Sequence, residues 1–129
     1  MKPTALGVYL RYLREQRGLS LREVGKLASI DHAYIHRLER GEKHRPPQET
    51  LDRLSRVLKP SARDKEILEI AAELPEADSR LAELVIQDQQ ITADEFRYGA
   101  SIVYRGRTRP EPAMIIERVR RILRDEEDG

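Results

Sequence analysis

The 129-residue chain has no cysteine, which excludes a disulfide framework and any thiolate metal site. Its apolar runs are short, so no transmembrane helix is expected. The start, MKPTALGV, lacks the apolar region of a signal peptide, and a cytoplasmic location is the expectation. No stretch alternates apolar and polar residues as a half-buried strand would. A glycine-rich phosphate loop is missing, as is a nucleophile–base pair on a defined scaffold, so the chain is not expected to be an enzyme. Asp64, Glu66 and Glu69 read as a solvated helix face rather than as catalytic carboxylates. A large net charge is also lacking, since 24 Lys and Arg stand against 23 Asp and Glu. The imbalance is internal. Residues 1–58 carry 12 basic and 7 acidic side chains, whereas residues 59–129 carry 12 and 16. A basic front and an acidic back suit a nucleic-acid-binding head followed by a separate interaction module.

What is present is helical periodicity, nearly throughout, and the predicted fold class is all-α. Residues 4–17 form a first helix with Leu6, Leu10 and Leu13 inward. Ser20 and Glu23 make a capping box that opens a second helix over 21–28, burying Val24 and Leu27. Gly25 sits inside that helix, where glycine costs about 1 kcal/mol relative to alanine, a sign that another backbone comes close. Asp31 caps a third helix over 32–40 that buries Ile35 and Leu38, and Gly41 ends it. Arg45-Pro46-Pro47 introduces a fourth, with Leu51, Leu54 and Leu58 at helical spacing. Ser61 caps a fifth, with Ile67, Leu68, Ala71 and Leu74 as its stripe. These five helices define a head at residues 1–74, with Leu74-Pro75-Glu76 as the boundary. Behind it, residues 75–129 hold three amphipathic helices. One starts at Asp78 or Ser79, with Leu81, Leu84 and Val85 inward; one runs over 93–104 behind a Thr92/Glu95 capping box; the last covers roughly 111–125. The final acidic run, DEEDG, is expected to fray, because negative charge is unfavourable at a helix C-terminus. So small a unit is marginal alone. It must pack on the head or on a second copy, and a homodimer built on Ile115, Val119, Ile122 and Leu123 is the favoured expectation.

The second and third helices are joined by so short a turn that they must cross steeply, as in a helix-turn-helix. The third then protrudes, with its outer side chains free to enter a DNA major groove. His32 and His36 also have a two-ligand metal spacing, but His44 is the only other histidine, and neither metal nor other cofactor is expected.

Residues 6–58 resemble the lambda-repressor-like (XRE) helix-turn-helix family. The resemblance is carried by Leu13-Arg14, Gly18-Leu19-Ser20, Glu23, Ile35, Leu38-Glu39-Arg40-Gly41, Pro46 and Glu49-Thr50-Leu51. It implies a five-helix DNA-binding domain with an ion pair between Arg14 and Glu39. It also implies base-facing positions at His32, Ala33 and Arg37, with Tyr34 and His36 as neighbours. Arg37 is the leading candidate for direct readout, because its fork can bind guanine O6 and N7 together. Lys43, His44 and Arg45 fall in a loop that the family uses on phosphates, and Arg17, Arg22 and Arg40 are further phosphate candidates. Two positions depart from the family pattern. Leu21 replaces a common phosphate-binding glutamine, and Ser29 replaces a turn glycine, at a cost if φ is positive there.

Ile91-Thr92-Ala93-Asp94-Glu95-Phe96-Arg97 and Ser101-Ile102-Val103-Tyr104-Arg105-Gly106-Arg107, followed by Pro110, are similar to the C-terminal module of DdrO-type repressors. That resemblance implies dimerisation through the module and inactivation by a zinc metallopeptidase of the ImmA/IrrE type, with the bond between Tyr104 and Arg105 as the candidate cut. The basic, glycine-containing connector at 105–110 is equally readable as a solvated turn. The expected function is a homodimeric, sequence-specific transcriptional repressor that binds an operator in double-stranded DNA and is nucleoid-associated. The alternatives are an antitoxin-like protein that holds a toxin or peptidase through its back half and autoregulates its operon, and a back half that binds a small effector.

Overall fold

The structure is a computed structural model that describes residues 2–102 and 109–128. Those residues form eight helices and no strand. They are α1 (Ala5–Gln16), α2 (Leu21–Ala28), α3 (His32–Arg40), α4 (Gln48–Leu58), α5 (Ala62–Glu73), α6 (Ser79–Gln87), α7 (Ala93–Ser101) and α8 (Pro112–Asp128). Local chemistry sets most of the starts. Thr4, Asp31, Ser61 and Asp78 each accept a bond from a first-turn amide. Ser20/Glu23 and Thr92/Glu95 close full capping boxes, with bonds of 2.9–3.1 Å. At the end of α3 the Gly41 amide donates to Leu38 O (3.2 Å) and the Glu42 amide to Arg37 O (2.9 Å), a Schellman closure.

Helix α1 is the shared wall of the fold. It packs against α3 and α5 on the head side and against α6 from the back half. Leu6, Tyr9, Leu10 and Leu13 of α1, Leu81, Ala82 and Val85 of α6, Phe96 of α7 and Ile116 of α8 belong to one continuous buried cluster. The core therefore runs straight past Leu74-Pro75-Glu76, and Ala77 just beyond it is itself buried. The back half buries its apolar faces within its own chain: α8 packs on α6 and α7, and α7 on α5.

Several expectations need correction. Leu27 is 63% exposed. The inward arc of α2 is centred on Val24, Gly25 and Ala28, and at about 100° per residue Leu27 falls well outside it. Asp64 is buried instead of solvated. It accepts a bond from Tyr9 Oη at 2.8 Å and one from Arg63 Nη1 at 3.0 Å. Burial first, and then this bond to Asp64, push the Tyr9 hydroxyl pKa well above its ordinary value. Helix α7 ends at Ser101, short of Tyr104, with Ile102 already extended. Helix α8 continues to Asp128, through the acidic run expected to fray. Ile115 and Val119 are 3% and 1% exposed inside this chain's own fold, so they do not form a face for a second copy. Ile122 remains 51% exposed and Leu123 half-buried.

Ser29 adopts the left-handed conformation, φ 56° and ψ 47°, at the end of α2. A Cβ in this region costs about 1–2 kcal/mol, partly offset by the lower chain entropy of a non-glycine residue. Ser29→Gly should therefore raise stability by roughly 0.5–1 kcal/mol, read as a higher urea midpoint with an unchanged slope. An unchanged or lower midpoint would show that the turn is not strained.

Candidate nucleic-acid interface

Helices α2 and α3 are held face to face by the turn between them. A Cβ on Gly25 would stand 2.7 Å from Ile30 O and 3.2 Å from His32 N, so the returning backbone occupies the space of a side chain. Ile30 N–H donates back to Gly25 O at 2.9 Å. The glycine inside α2 is thus explained by the tightness of the turn. Arg53 of α4 braces the outside, donating to Ser29 O at 3.3 Å while pairing with Glu49 at 2.8 Å.

Ile35 and Leu38 anchor α3 in the core at 2% and 0% exposure. With those two inward, helical geometry turns Ala33, His36, Arg37 and Arg40 to the opposite side and leaves His32 on the flank. Four of these are exposed and Ala33 is half-buried. Tyr34 lies at the margin, partly buried against the core. Lys43, His44 and Arg45 are exposed in the loop that follows, with Arg45 at φ 58°. Arg22 is exposed on α2. So is Lys26, one helical turn along from Arg22; that i, i+4 spacing was its legible signal, and the sequence reading missed it. Arg40 stands 3.4 Å from Glu42, a solvated pair of little energetic weight. Arg17 has a different role from the one expected. It donates to Leu58 O at 2.8 Å and Lys59 O at 2.7 Å, capping the C-terminal end of α4.

Arg14 and Glu39 meet as a two-bond fork, Nε to Oε2 at 2.7 Å and Nη2 to Oε1 at 3.0 Å. Nη1 of Arg14 also donates to Leu19 O at 2.9 Å. The side chains are 15% and 4% exposed. The bond to Glu39 holds the Arg14 pKa above its ordinary value. Gly7 brings the backbones equally close here, because a Cβ on it would lie 2.5 Å from the carbonyl oxygens of both Leu38 and Glu39. The orientation of α3 is thereby fixed by a salt bridge and by backbone contact at one point on α1. Among the described residues no cluster of His, Asp or Glu is arranged to hold a metal, and no helix is long and apolar enough to cross a membrane.

The paired helices, the tight turn and the exposed basic face are those of a helix-turn-helix. Residues 5–65, just under half the chain, match the model of a family described as a helix-turn-helix domain. That match supports a DNA-binding regulator. No curated protein matches the chain. The matched segment ends within α5, so α6 to α8 lie outside it.

Removing one member of the ion pair leaves the other charge buried, a change that costs about 3–5 kcal/mol. Arg14→Ala should lower stability by about that amount and weaken DNA binding at every sequence alike. Replacing both residues with methionine should recover most of the stability in a urea titration. If Arg14→Ala leaves both stability and DNA binding untouched, the fork does not position α3.

Proposed function

We propose that this protein is a sequence-specific, homodimeric transcriptional repressor of the lambda-repressor-like (XRE) kind, acting on operator DNA. The observation that carries the reading is the outer face of α3, where Ala33, His36 and Arg37 stand opposite the buried Ile35 and Leu38, with His32 exposed at its flank. In this reading Arg37 reads a base through its fork, and His32, Ala33 and His36 line the same groove. Tyr34, at the margin of the face, contributes at its edge. Lys43, His44 and Arg45, with Arg22, Lys26 and Arg40, hold the phosphates on either side.

Arg118, Ile122 and Asp125 of α8 support the homodimer. They lie at i, i+4 and i+7 and are all exposed. In an antiparallel pairing of two α8 helices about an axis near residues 121–122, Arg118 of one copy faces Asp125 of the other while the Ile122 side chains meet. The core-facing arc of α8, which includes Ile115 and Val119, stays within its own chain. Two joined heads bind two half-sites about one helical turn apart, and the second contact is effectively intramolecular. The proposed cleavage point between Tyr104 and Arg105 falls outside the described residues. A cut there would sever α8 from α7 in sequence and leave it held by contacts such as the Arg120–Glu95 pair at 2.7 Å.

Selection of bound duplexes from random DNA with the purified chain should return a two-fold symmetric consensus. Arg37→Ala should then cost about 1–3 kcal/mol at one base pair per half-site and relax the preference there. Lys43→Ala should weaken binding to all sequences and reduce the slope of log affinity against log salt by about one. Unchanged discrimination in Arg37→Ala would remove Arg37 from the readout. Ile122→Glu should shift the chain to monomer by sedimentation and abolish preference for the two-site operator over a single half-site; an unchanged dimer would exclude α8 as the dimer face.

A further inference from the structure

One guanidinium ties the head to the back half. Arg63, on α5, donates through Nε to Ile91 O at 2.9 Å and through Nη2 to Val85 O at 2.7 Å and Asp88 O at 3.0 Å. Its Nη1 donates to Gln89 Oε1 at 3.2 Å and to Asp64 Oδ1 at 3.0 Å. Tyr9 Oη, from α1, donates to the same Asp64 oxygen at 2.8 Å. The end of α6 and its turn into α7 are thus read, carbonyl by carbonyl, by a side chain of the head. Arg63 and Asp64 are 18% and 10% exposed, so water competes little for these bonds.

The rest of the contact between the halves is of a different kind. The buried faces of α1 and α6 that share the core are aliphatic apart from Tyr9. Apolar burial drives association but has no direction of its own. Hydrogen bonds do, since they weaken steeply as the angle at the donor falls. A planar fork engaged on several carbonyls at once therefore sets the angle at which α6, and with it α7 and α8, stands on the DNA-reading head.

We propose that Arg63 is a positioning residue that fixes the separation of the two recognition helices, and so decides which half-site spacing the protein accepts. This rests on the homodimeric reading through α8. In such a dimer the path from one α3 to the other runs through α1, the Arg63 knot, the back half and the two-fold axis. With about 10–10.5 base pairs per helical turn, each added pair rotates one half-site by about 35°. A clamped dimer cannot follow that rotation, whereas a dimer with a loosened knot can.

The test uses synthetic operators that carry the selected half-sites at the preferred spacing and at spacings one and two base pairs shorter or longer. The wild-type chain should lose at least about tenfold in affinity at the first step in either direction. Arg63→Ala should keep the half-site consensus and its affinity for an isolated half-site, yet lose less than about threefold across the same steps. Should Arg63→Ala fail to fold, Arg63→Lys carries the comparison, because it keeps a charge beside Asp64 but cannot reach the carbonyls of Val85, Asp88 and Ile91 together. Leu54→Ala, a core truncation within α4, should lower stability and leave the spacing preference intact. Two results overturn the proposal: a wild-type chain that binds all spacings equally, or a folded Arg63 variant with the wild-type preference. A wild-type chain that selects a single unrepeated half-site overturns the dimer reading itself, and the proposal falls with it.

Discussion

The Arg14–Glu39 fork is the constraint on which the rest of the molecule turns. It lies where α1, the end of the turn leading into α2, and α3 come together. A lone salt bridge in such a place is weak evidence for stability, because desolvating two charges cancels much of their attraction. Its value here is directional. Planar groups matched in two parallel bonds hold one relative orientation, and Gly7 lets the α1 backbone press against the α3 carbonyls at the same point. An apolar contact alone would hold α3 to the head without fixing its roll, and the roll decides which side chains face outward.

A second polar knot sits across α1 from the first. Tyr9, Asp64 and Arg63 are drawn from α1 and α5 and close on the α6–α7 turn. Helix α1 thus carries a directional polar lock on each side, one toward α3 and one toward the back half, with aliphatic packing between.

The parts of this arrangement that the sequence made legible are those set locally. Ser20/Glu23 and Thr92/Glu95 announce helix starts because each motif satisfies its own amides. Gly25 announces the close turn, because the backbone there leaves no room for a side chain, whereas the positive φ at Ser29 is legible only as a condition, by comparison with the family's turn glycine. Hidden were the features settled by tertiary partners. Asp64 looks like surface until Tyr9, 55 positions away, supplies a donor. Gly7 looks like any tolerated helix glycine until α3 lies on it. Arg17 reads as one more cation of a basic head, and only the exposed end of α4 gives it another use. Leu27 was misplaced because a helix of eight residues is too short for periodicity to fix its inward direction.

Helix α8 shows the same division within one element. Its apolar positions span more of the circumference than one neighbour can cover, so Ile115, Ile116 and Val119 go inward while Ile122 is left on the flank. From sequence these residues look like one stripe, and one stripe invites one partner. In the fold, α8 packs on α6 and α7 with Ile115, Ile116 and Val119 buried, while Ile122, Arg124, Asp125 and Glu126 are exposed. The helix continues through acidic residues that oppose its dipole. Arg121 precedes Asp125 by four positions, a spacing at which opposite charges on a helix return a few tenths of a kcal/mol. The unfavourable end charge is of similar size, and so it does not by itself unwind the final turn.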